Sequence, residues 1–343
     1  MTEIRTLAEV RAMDVTGRRF HSANHEDILA GATTDVYFVK TREVLQELGL
    51  LETPVTAEVF PSRSGIMCGG EECRQLLLGR GVTMEAVPDG ESFAEREVVL
   101  RVEGAYDRFG VFETALLGIL ASSAGWATAA RECREAAQGK PFLSFGARHV
   151  HPAVAPAMER AAIAGGAAGA SCLLGAWLGG REPSGTIPHA AILIAGDTLA
   201  VAQAYDRIMP PGQPRVILVD TFKDEAEESL RVAAALGDRL DAVRLDTPWE
   251  RGGVTPELVA EVRARLDAAG HKQVKIFVSG GITPERMPAL VRAGADAFGV
   301  GSYISRARPI DMTMDLKEID GRPVAKRGRI PGRTPTPRLV KVI

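Results

Sequence analysis

The chain has 343 residues, 45% hydrophobic and 25% charged, an ordinary globular composition with room for two domains or one large barrel with additions. A net charge of −3 gives no basic field to hold nucleic acid. The four cysteines, Cys68, Cys73, Cys133 and Cys172, form neither a CxxC pair nor a Cys/His cluster of zinc spacing. The first residues carry charges throughout and lack an apolar signal core. The tract Ala161–Trp177 is too short and small-sided for a membrane span, so a cytoplasmic protein without membrane or nucleic-acid partners is expected.

Residues 1–30 read as an irregular lead-in with a short helix. The first clear helix opens at Thr33–Tyr37, capped by Thr34 or Asp35, with Val36, Val39, Val44, Leu45 and Leu48 as its apolar side. Residues 55–63 alternate like a strand, 64–70 make a glycine-containing turn, and Glu71–Leu78 is a short helix facing inward with Leu76 and Leu77. Val82–Val87 and Glu97–Val102 are two further strands joined around Asp89-Gly90. This part reads as an α+β layer.

From Phe112 the pattern changes. Two apolar helices are expected, Phe112–Gly125 and Trp126–Gln138, and strands then alternate with helices. The strands are Phe142–Phe145, Ala170–Leu174, Val216–Val219, Ala242–Leu245, Ile276–Val278 and Ala297–Val300. The helices are Ala153–Ala164, one running from Ala190–Gly196 through Tyr205, Asp224–Leu236, Pro256–Ala269, and one capped by Thr283 with Pro284 at its first position and Gly294 at its end. Such alternation argues a parallel sheet, here a barrel. Asp311–Arg327 is a hairpin around Asp320-Gly321, more suited to the N-terminal layer than to the barrel, and the Pro- and Arg-rich end reads as a tail. The fold class is therefore α/β: an irregular (β/α) barrel plus an N-terminal α+β layer in open-sandwich form. Residues 1–111 form the layer domain, 112–308 the barrel, and 309–343 a hairpin and tail packing on the layer.

In a barrel, polar residues just past the strands' C-terminal ends face the site. Here they are Arg148 and His149, Asp220, Arg244 and Asp246, Ser279-Gly280-Gly281, and Gly299 to Ser302. Two bare glycine turns after successive strands suit a phosphate, because glycine lets backbone amides approach an anion. Arginines and carboxylates suit further phosphates, an acid, sugar hydroxyls or Mg2+. An Arg244–Asp246 ion pair of purely structural use would fit the same residues.

The stretches TDVYFVK (Thr34–Lys40), EGAYDRFGVFETALLGILA (Glu103–Ala121), LSFGARHVHP (Leu143–Pro152), GTIPHA (Gly185–Ala190), VDTFKDE (Val219–Glu225), RLD (Arg244–Asp246), FVSGGI (Phe277–Ile282) and FGVGSYI (Phe298–Ile304) resemble, in order, the nicotinate phosphoribosyltransferase family of type II phosphoribosyltransferases. The resemblance implies formation of nicotinate mononucleotide and pyrophosphate from nicotinate and phosphoribosyl pyrophosphate, with Mg2+ and with ATP hydrolysed as co-substrate, in NAD salvage. It implies a homodimer, or an assembly of such dimers, with the active site at the interface. By the same resemblance Phe145 would stack on one face of the pyridine ring and the partner subunit's Tyr37 on the other. Arg148 would bind a phosphate or the substrate acid, and Arg244 the carboxylate or pyrophosphate. Asp246 would hold the ribose hydroxyls, with Asp220 as a second electrostatic stabiliser. Gly280, Gly281, Gly299 and Gly301, beside Ser279, would cradle the 5′-phosphate, and Arg63 and Lys326 would meet the pyrophosphate. His189 would be the histidine phosphorylated by ATP. Ser171 stands where nicotinamide-using relatives carry an aspartate, which favours the acid over the amide. Relatives with a zinc-binding extension use cysteines that have no counterpart after Cys172, so no structural zinc is expected, and no residue is assigned as a metal ligand. The alternatives are a quinolinate or other pyridine-acid phosphoribosyltransferase, whose TRKT-type strand end the FGARHVHP segment does not match, and a non-catalytic phosphoribosyl-binding homologue.

Overall fold

The computed structural model describes residues 3–343, which fall into two compact units. One comprises the chain up to Thr128 together with Arg308–Ile343; the other is Ala129–Ala307. The division falls inside a helix.

The first unit is built on a six-stranded antiparallel sheet. Its strands run in the order Arg322–Pro323, Met312–Ile319, Pro54–Pro61, Leu100–Ala105, Thr83–Ala86 and Val340–Lys341. The hairpin turn has positive φ at both Asp320 (49°) and Gly321 (71°), the geometry that matches strand twist in a two-residue hairpin. Met312–Ile319 then pairs along almost the whole of Pro54–Pro61. One face carries the core, where Val55, Ala57, Val59, Met84, Leu100 and Val102 are buried with Phe109, Phe112, Leu116 and Leu120.

The other face is not left to solvent. Glu58 is 1% exposed, and it accepts from Arg101 Nη2 at 2.8 Å and Nε at 3.1 Å. The expected tail lies over it: Thr334 N donates to Glu58 Oε1, Arg101 Nη2 donates to Thr334 O, and Arg333 reaches Glu318, Glu103 and Thr56. Val340–Lys341 then pairs with Thr83–Ala86, so the chain end is a sheet edge rather than a tail. Replacing Arg101 by methionine leaves Glu58 buried without its guanidinium, and a stability loss of about 3–5 kcal/mol is expected in urea denaturation. The double replacement with Glu58→Leu should recover most of it.

Where two helices were expected there is one, Glu113–Ala136. Gly125 does not break it. A Cβ there would lie 2.6 Å from Arg308 O, so the glycine lets the helix run against that backbone. The span Gly110–Ala136 is long and apolar enough to cross a membrane by length and composition, but Leu116, Leu120 and Ala124 are in the core described above. The helix Val36–Glu47 buries only Phe38 and Val39. Of the apolar side expected, Val39 is buried but Val36, Val44 and Leu48 are exposed, as is Tyr37. Asp35 is its N-cap without a capping bond; its carboxylate instead accepts from Thr114 Oγ1 at 3.0 Å.

The second unit holds a six-stranded parallel sheet in the order Gly169–Ala170, Phe142–Ser144, Ala297–Val300, Lys275–Val278, Ala242–Leu245 and Val216–Leu218. Val243, Leu245, Ile276, Val278, Phe298 and Val300, alternate residues on paired strands, are buried on one face of the sheet, and Arg244, Phe277 and Gly299 are buried on the other, as a sheet covered on both faces requires. The helices Ala155–Gly165, Glu225–Leu236, Pro256–Ala268 and Met287–Ala293 alternate with these strands. The sheet is an open half-barrel rather than a closed ring of eight. Between its edge strands the chain runs as three helices, Leu173–Leu178, His189–Ala195 and Thr198–Ile208. The strand expected at Ala170–Leu174 is thus reduced to Gly169–Ala170. The helix expected through Tyr205 is split at Gly196 (φ 77°), after which Asp197 caps the next helix by accepting from Ala200 N. The helix expected from Pro284 starts instead at Met287, with Arg286 as its N-cap residue.

Candidate active site

Parallel strands put all their C-terminal ends at one edge, and there the second unit has two adjoining clefts. The larger, about 380 Å³, is lined by Phe145, Arg148, His149, Arg244, Asp246, Trp249, Ser279, Gly280, Gly281, Gly299, Gly301, Ser302 and Arg306. The smaller, about 260 Å³, shares Phe145, Arg148 and Arg244 and adds Ala147, Ser171, Gly185 and Thr186.

Arg244 is the centre of the polar network. It is 9% exposed, and its guanidinium donates from Nε to Ser279 Oγ (2.8 Å), from Nη1 to Thr186 Oγ1 (2.7 Å) and from Nη2 to Asp246 Oδ2 (2.9 Å). Ser279 Oγ in turn donates to Asp246 Oδ1 at 2.9 Å. Burial pulls the Arg244 guanidinium below its ordinary pKa, and Asp246 and Asp220 work against that shift. Asp220 accepts from Asp246 N at 2.5 Å, and its other oxygen, Oδ1, is buried with no hydrogen-bond partner among the described residues. Burial raises the Asp220 pKa, opposed chiefly by the Asp246 amide and by His189. His189 Nδ1 bonds Thr221 Oγ1 at 3.0 Å, which turns Nε2 toward Asp220 Oδ1 (3.9 Å) and Asp246 Oδ2 (3.8 Å).

The aromatic wall is Phe145, stacked on Phe277 with ring centroids 5.9 Å apart, with the Arg244 guanidinium 5.4 Å from the Phe145 ring. Gly299 serves this wall, because a Cβ there would lie 2.5 Å from the Phe145 ring. Gly301 has His149 and Phe145 O equally close, at 2.9 and 3.0 Å from a Cβ. These two glycines make room for Phe145 and His149 as well as lining the larger cleft. Gly280 (φ 84°) and Gly281 (φ 62°) are in the left-handed region. Arg286 holds their carbonyls, donating from Nη1 to Gly280 O (3.1 Å) and Gly281 O (2.7 Å) and from Nη2 to Val254 O, while lying 4.8 Å over the Trp249 ring. This reach back to the loop accompanies the late helix start.

All the expected site residues of this unit therefore meet at or beside one strand-end edge: Phe145, Arg148, Ser171, His189, Asp220, Arg244, Asp246, Ser279 and the four glycines. Tyr37, Arg63 and Lys326 belong to the other unit. There Tyr37 is 54% exposed, Arg63 Nη2 donates to Arg308 O, and Lys326 pairs with Asp315 at 2.7 Å.

Sequence reading passed over Arg286, Thr186, Trp249 and Glu159. Glu159 is 0% exposed and sits on the helix Ala155–Gly165 behind the smaller cleft. Its Oε1 accepts from Gly146 N (3.0 Å), Ala147 N (3.2 Å) and Ser144 Oγ (3.3 Å), and its Oε2 from Cys172 N (2.6 Å). Burial raises its pKa, and these donors pull it back. The one signal available was a lone carboxylate on an otherwise alanine-rich helix.

Two family models cover most of the chain: the quinolinate phosphoribosyl transferase N-terminal domain over residues 35–124 and its C-terminal domain over 126–315. Nicotinate phosphoribosyltransferase pncB2 of Mycobacterium tuberculosis is 33% identical over 246 residues, 69% of this chain and 51% of that protein. The Bacillus subtilis nicotinate phosphoribosyltransferase is 28% identical over 65% of this chain and 45% of its own. The chain spans about half the length of the curated relatives it matches. Among solved structures, the nicotinate-nucleotide pyrophosphorylase from Pyrococcus furiosus is 45% identical with a TM-score of 0.87, over 92% of this chain and 82% of that one. Human nicotinic acid phosphoribosyltransferase, at 20% identity and a TM-score of 0.70 over 88% of this chain and 77% of that one, shares the fold.

Proposed function

The chain belongs to the quinolinate phosphoribosyl transferase family, and from that premise we propose that it joins nicotinate to phosphoribosyl pyrophosphate, giving nicotinate mononucleotide and pyrophosphate. The observation that carries the choice of nicotinate is the charge in the smaller cleft. Its two cations are Arg148 and Arg244. Arg244 is already bonded to Asp246, whereas no carboxylate among the described residues pairs with Arg148. One uncompensated guanidinium matches one carboxylate, and a second carboxylate would be desolvated without a partner. Ser171 adds no negative charge that would repel the acid. The names of the Mycobacterium tuberculosis and Bacillus subtilis relatives support the same base.

In this reading Phe145 stacks on the pyridine ring and Arg148 receives its carboxylate. Gly280, Gly281, Ser302 and Arg306 face the 5′-phosphate of the sugar. Attack by the pyridine nitrogen on C1 needs no general base, so the protein acts by orientation and by stabilising positive charge on the ribose ring through Asp246 and Asp220. The unpartnered Asp220 Oδ1 beside Asp246 fits a Mg2+ held mainly by the pyrophosphate; such an ion would neutralise the leaving group. Arg63 and Lys326 are proposed pyrophosphate contacts. A homodimer is supported by exposed apolar side chains on two helices, Val36, Tyr37, Val44 and Leu48 on one and Leu173, Leu174, Trp177 and Leu178 on the other. The partner subunit's Tyr37 would then close the other ring face.

His189 is proposed as the residue that couples ATP, its ring oriented by Thr221. The test is product formation from phosphoribosyl pyrophosphate and Mg2+ with nicotinate, nicotinamide or quinolinate, each with and without ATP. Turnover of nicotinate that ATP stimulates, with only the stimulated part lost in His189→Ala, is the expected result. An ATP-independent rate that falls equally in the variant would remove the coupling role.

The second reading is quinolinate as the base. It is favoured by the family models and by the Pyrococcus furiosus structure at 45% identity. Decarboxylating turnover of quinolinate in the same assay would establish it.

A further inference from the structure

Both walls of the smaller cleft hang on one buried carboxylate. Phe145, Ala147 and Arg148 follow the strand Phe142–Ser144, and Ser171 follows the neighbouring strand Gly169–Ala170. Glu159 Oε1 takes the amides of Gly146 and Ala147 on the first wall, and Oε2 takes the amide of Cys172 on the second. A loop that presents successive amides beside a strand end is itself suited to an external anion. Here an internal anion occupies those amides, so in this part of the cleft charge for a ligand comes from side chains alone. Gly175 keeps the carboxylate's helix close, since a Cβ there would lie 3.0 Å from Glu159 Cβ and 3.1 Å from Pro156 O.

We propose that Glu159 is a positioning residue for the pyridine acid: it fixes the spacing of the Phe145–Arg148 wall from the Ser171 wall and, by its buried negative charge, restricts the cleft to a ligand with one carboxylate. The inference rests on the functional reading above and narrows its substrate class to pyridine monocarboxylates. It assigns Glu159 no contact with substrate. A glutamine at this position keeps an acceptor for Gly146 and Ala147 but turns its amide N–H groups toward the Cys172 N–H, so the tie between the walls opens and the buried charge is lost.

The experiment measures KM and kcat of wild type and Glu159→Gln for nicotinate and phosphoribosyl pyrophosphate, the inhibition constant of quinolinate against nicotinate as the measure of preference, and the melting temperature of each protein. A second variant, Cys172→Pro, removes only the amide bonded to Oε2; φ at Cys172 is −68°, which proline adopts. Expected for Glu159→Gln is a rise in nicotinate KM of roughly 10–100-fold, a phosphoribosyl pyrophosphate KM within about two-fold of wild type, and a smaller preference for nicotinate over quinolinate. Cys172→Pro should raise the nicotinate KM in the same direction without changing the preference, because it keeps the charge. If Glu159→Gln does not fold, Cys172→Pro decides alone: an unchanged nicotinate KM overturns the proposal. A folded Glu159→Gln in which the KM values of nicotinate and phosphoribosyl pyrophosphate are unchanged, or move together, overturns it too, while leaving the function standing. Wild-type protein that turns over no pyridine acid overturns the functional reading and the inference with it.

Discussion

Replacing Arg244 by alanine is expected to lower kcat/KM by about 10³-fold or more and to cost about 3–5 kcal/mol of stability. The guanidinium is the hub through which Ser279, Thr186 and Asp246 are joined, and it is nearly buried. Its removal leaves Asp246 and Asp220, linked through the Asp246 amide, with no buried cation between them. Asp220 is already shifted upward by burial, and losing the nearby positive charge moves it further toward the neutral acid. A protonated acid stabilises a cationic sugar ring poorly, so the activity loss should exceed what lost contact alone would give. Arg244→Lys keeps the charge but cannot meet three acceptors in a fork, and an intermediate loss is expected. Steady-state kinetics and urea denaturation of the two variants check this. Equal activity of both with wild type would show that the Arg244–Asp246 pair is only structural.

The second large effect is expected at Gly299. An alanine there sets a methyl group 2.5–2.7 Å from the Phe145 ring and 3.1 Å from the Phe277 ring, so the aromatic wall must move. Overpacking of this kind costs about 1–3 kcal/mol. Displacement of the stacking ring should raise the KM for the pyridine acid roughly 10–100-fold, with little change in the KM for phosphoribosyl pyrophosphate. Adding Phe145→Leu should relieve the crowding and return stability while the KM stays high, because the ring is gone. A KM for phosphoribosyl pyrophosphate that rises as much as that for the acid would mean Gly299 serves the phosphate directly, as its glycine turn first suggests.

The strand ends were the most legible part of the sequence, and for a physical reason. A strand covered on both faces reads as a short apolar run, and a residue just past it is polar only where it faces a site. Ala242–Leu245 followed by Asp246 and Ala297–Val300 followed by Gly301 stand as read. Between Ala170 and Tyr205 the reading was poorer, because short runs of Ala, Gly, Leu and Ile suit a buried strand and a helix alike. There the chain chose helices, and the ring of strands stayed open. The chain end was misread because Pro and Arg look like a tail until their partners are known. Arg333 and Arg338 answer Glu103, Glu318, Glu91 and Glu97, and Arg333 and Glu103 are 230 positions apart in the chain. Glu159 left only the signal of a lone carboxylate on an alanine-rich helix, because the groups it holds are chiefly backbone amides, which carry no residue-type signature.

The most direct measurement is a competition in one vessel. Equal concentrations of unlabelled nicotinate and ring-13C quinolinate are supplied with phosphoribosyl pyrophosphate and Mg2+, and the nicotinate mononucleotide formed is weighed by mass spectrometry. A cleft with one free guanidinium predicts unlabelled product with no release of carbon dioxide. Labelled mononucleotide accompanied by carbon dioxide would contradict that account and assign the cleft to the dicarboxylate.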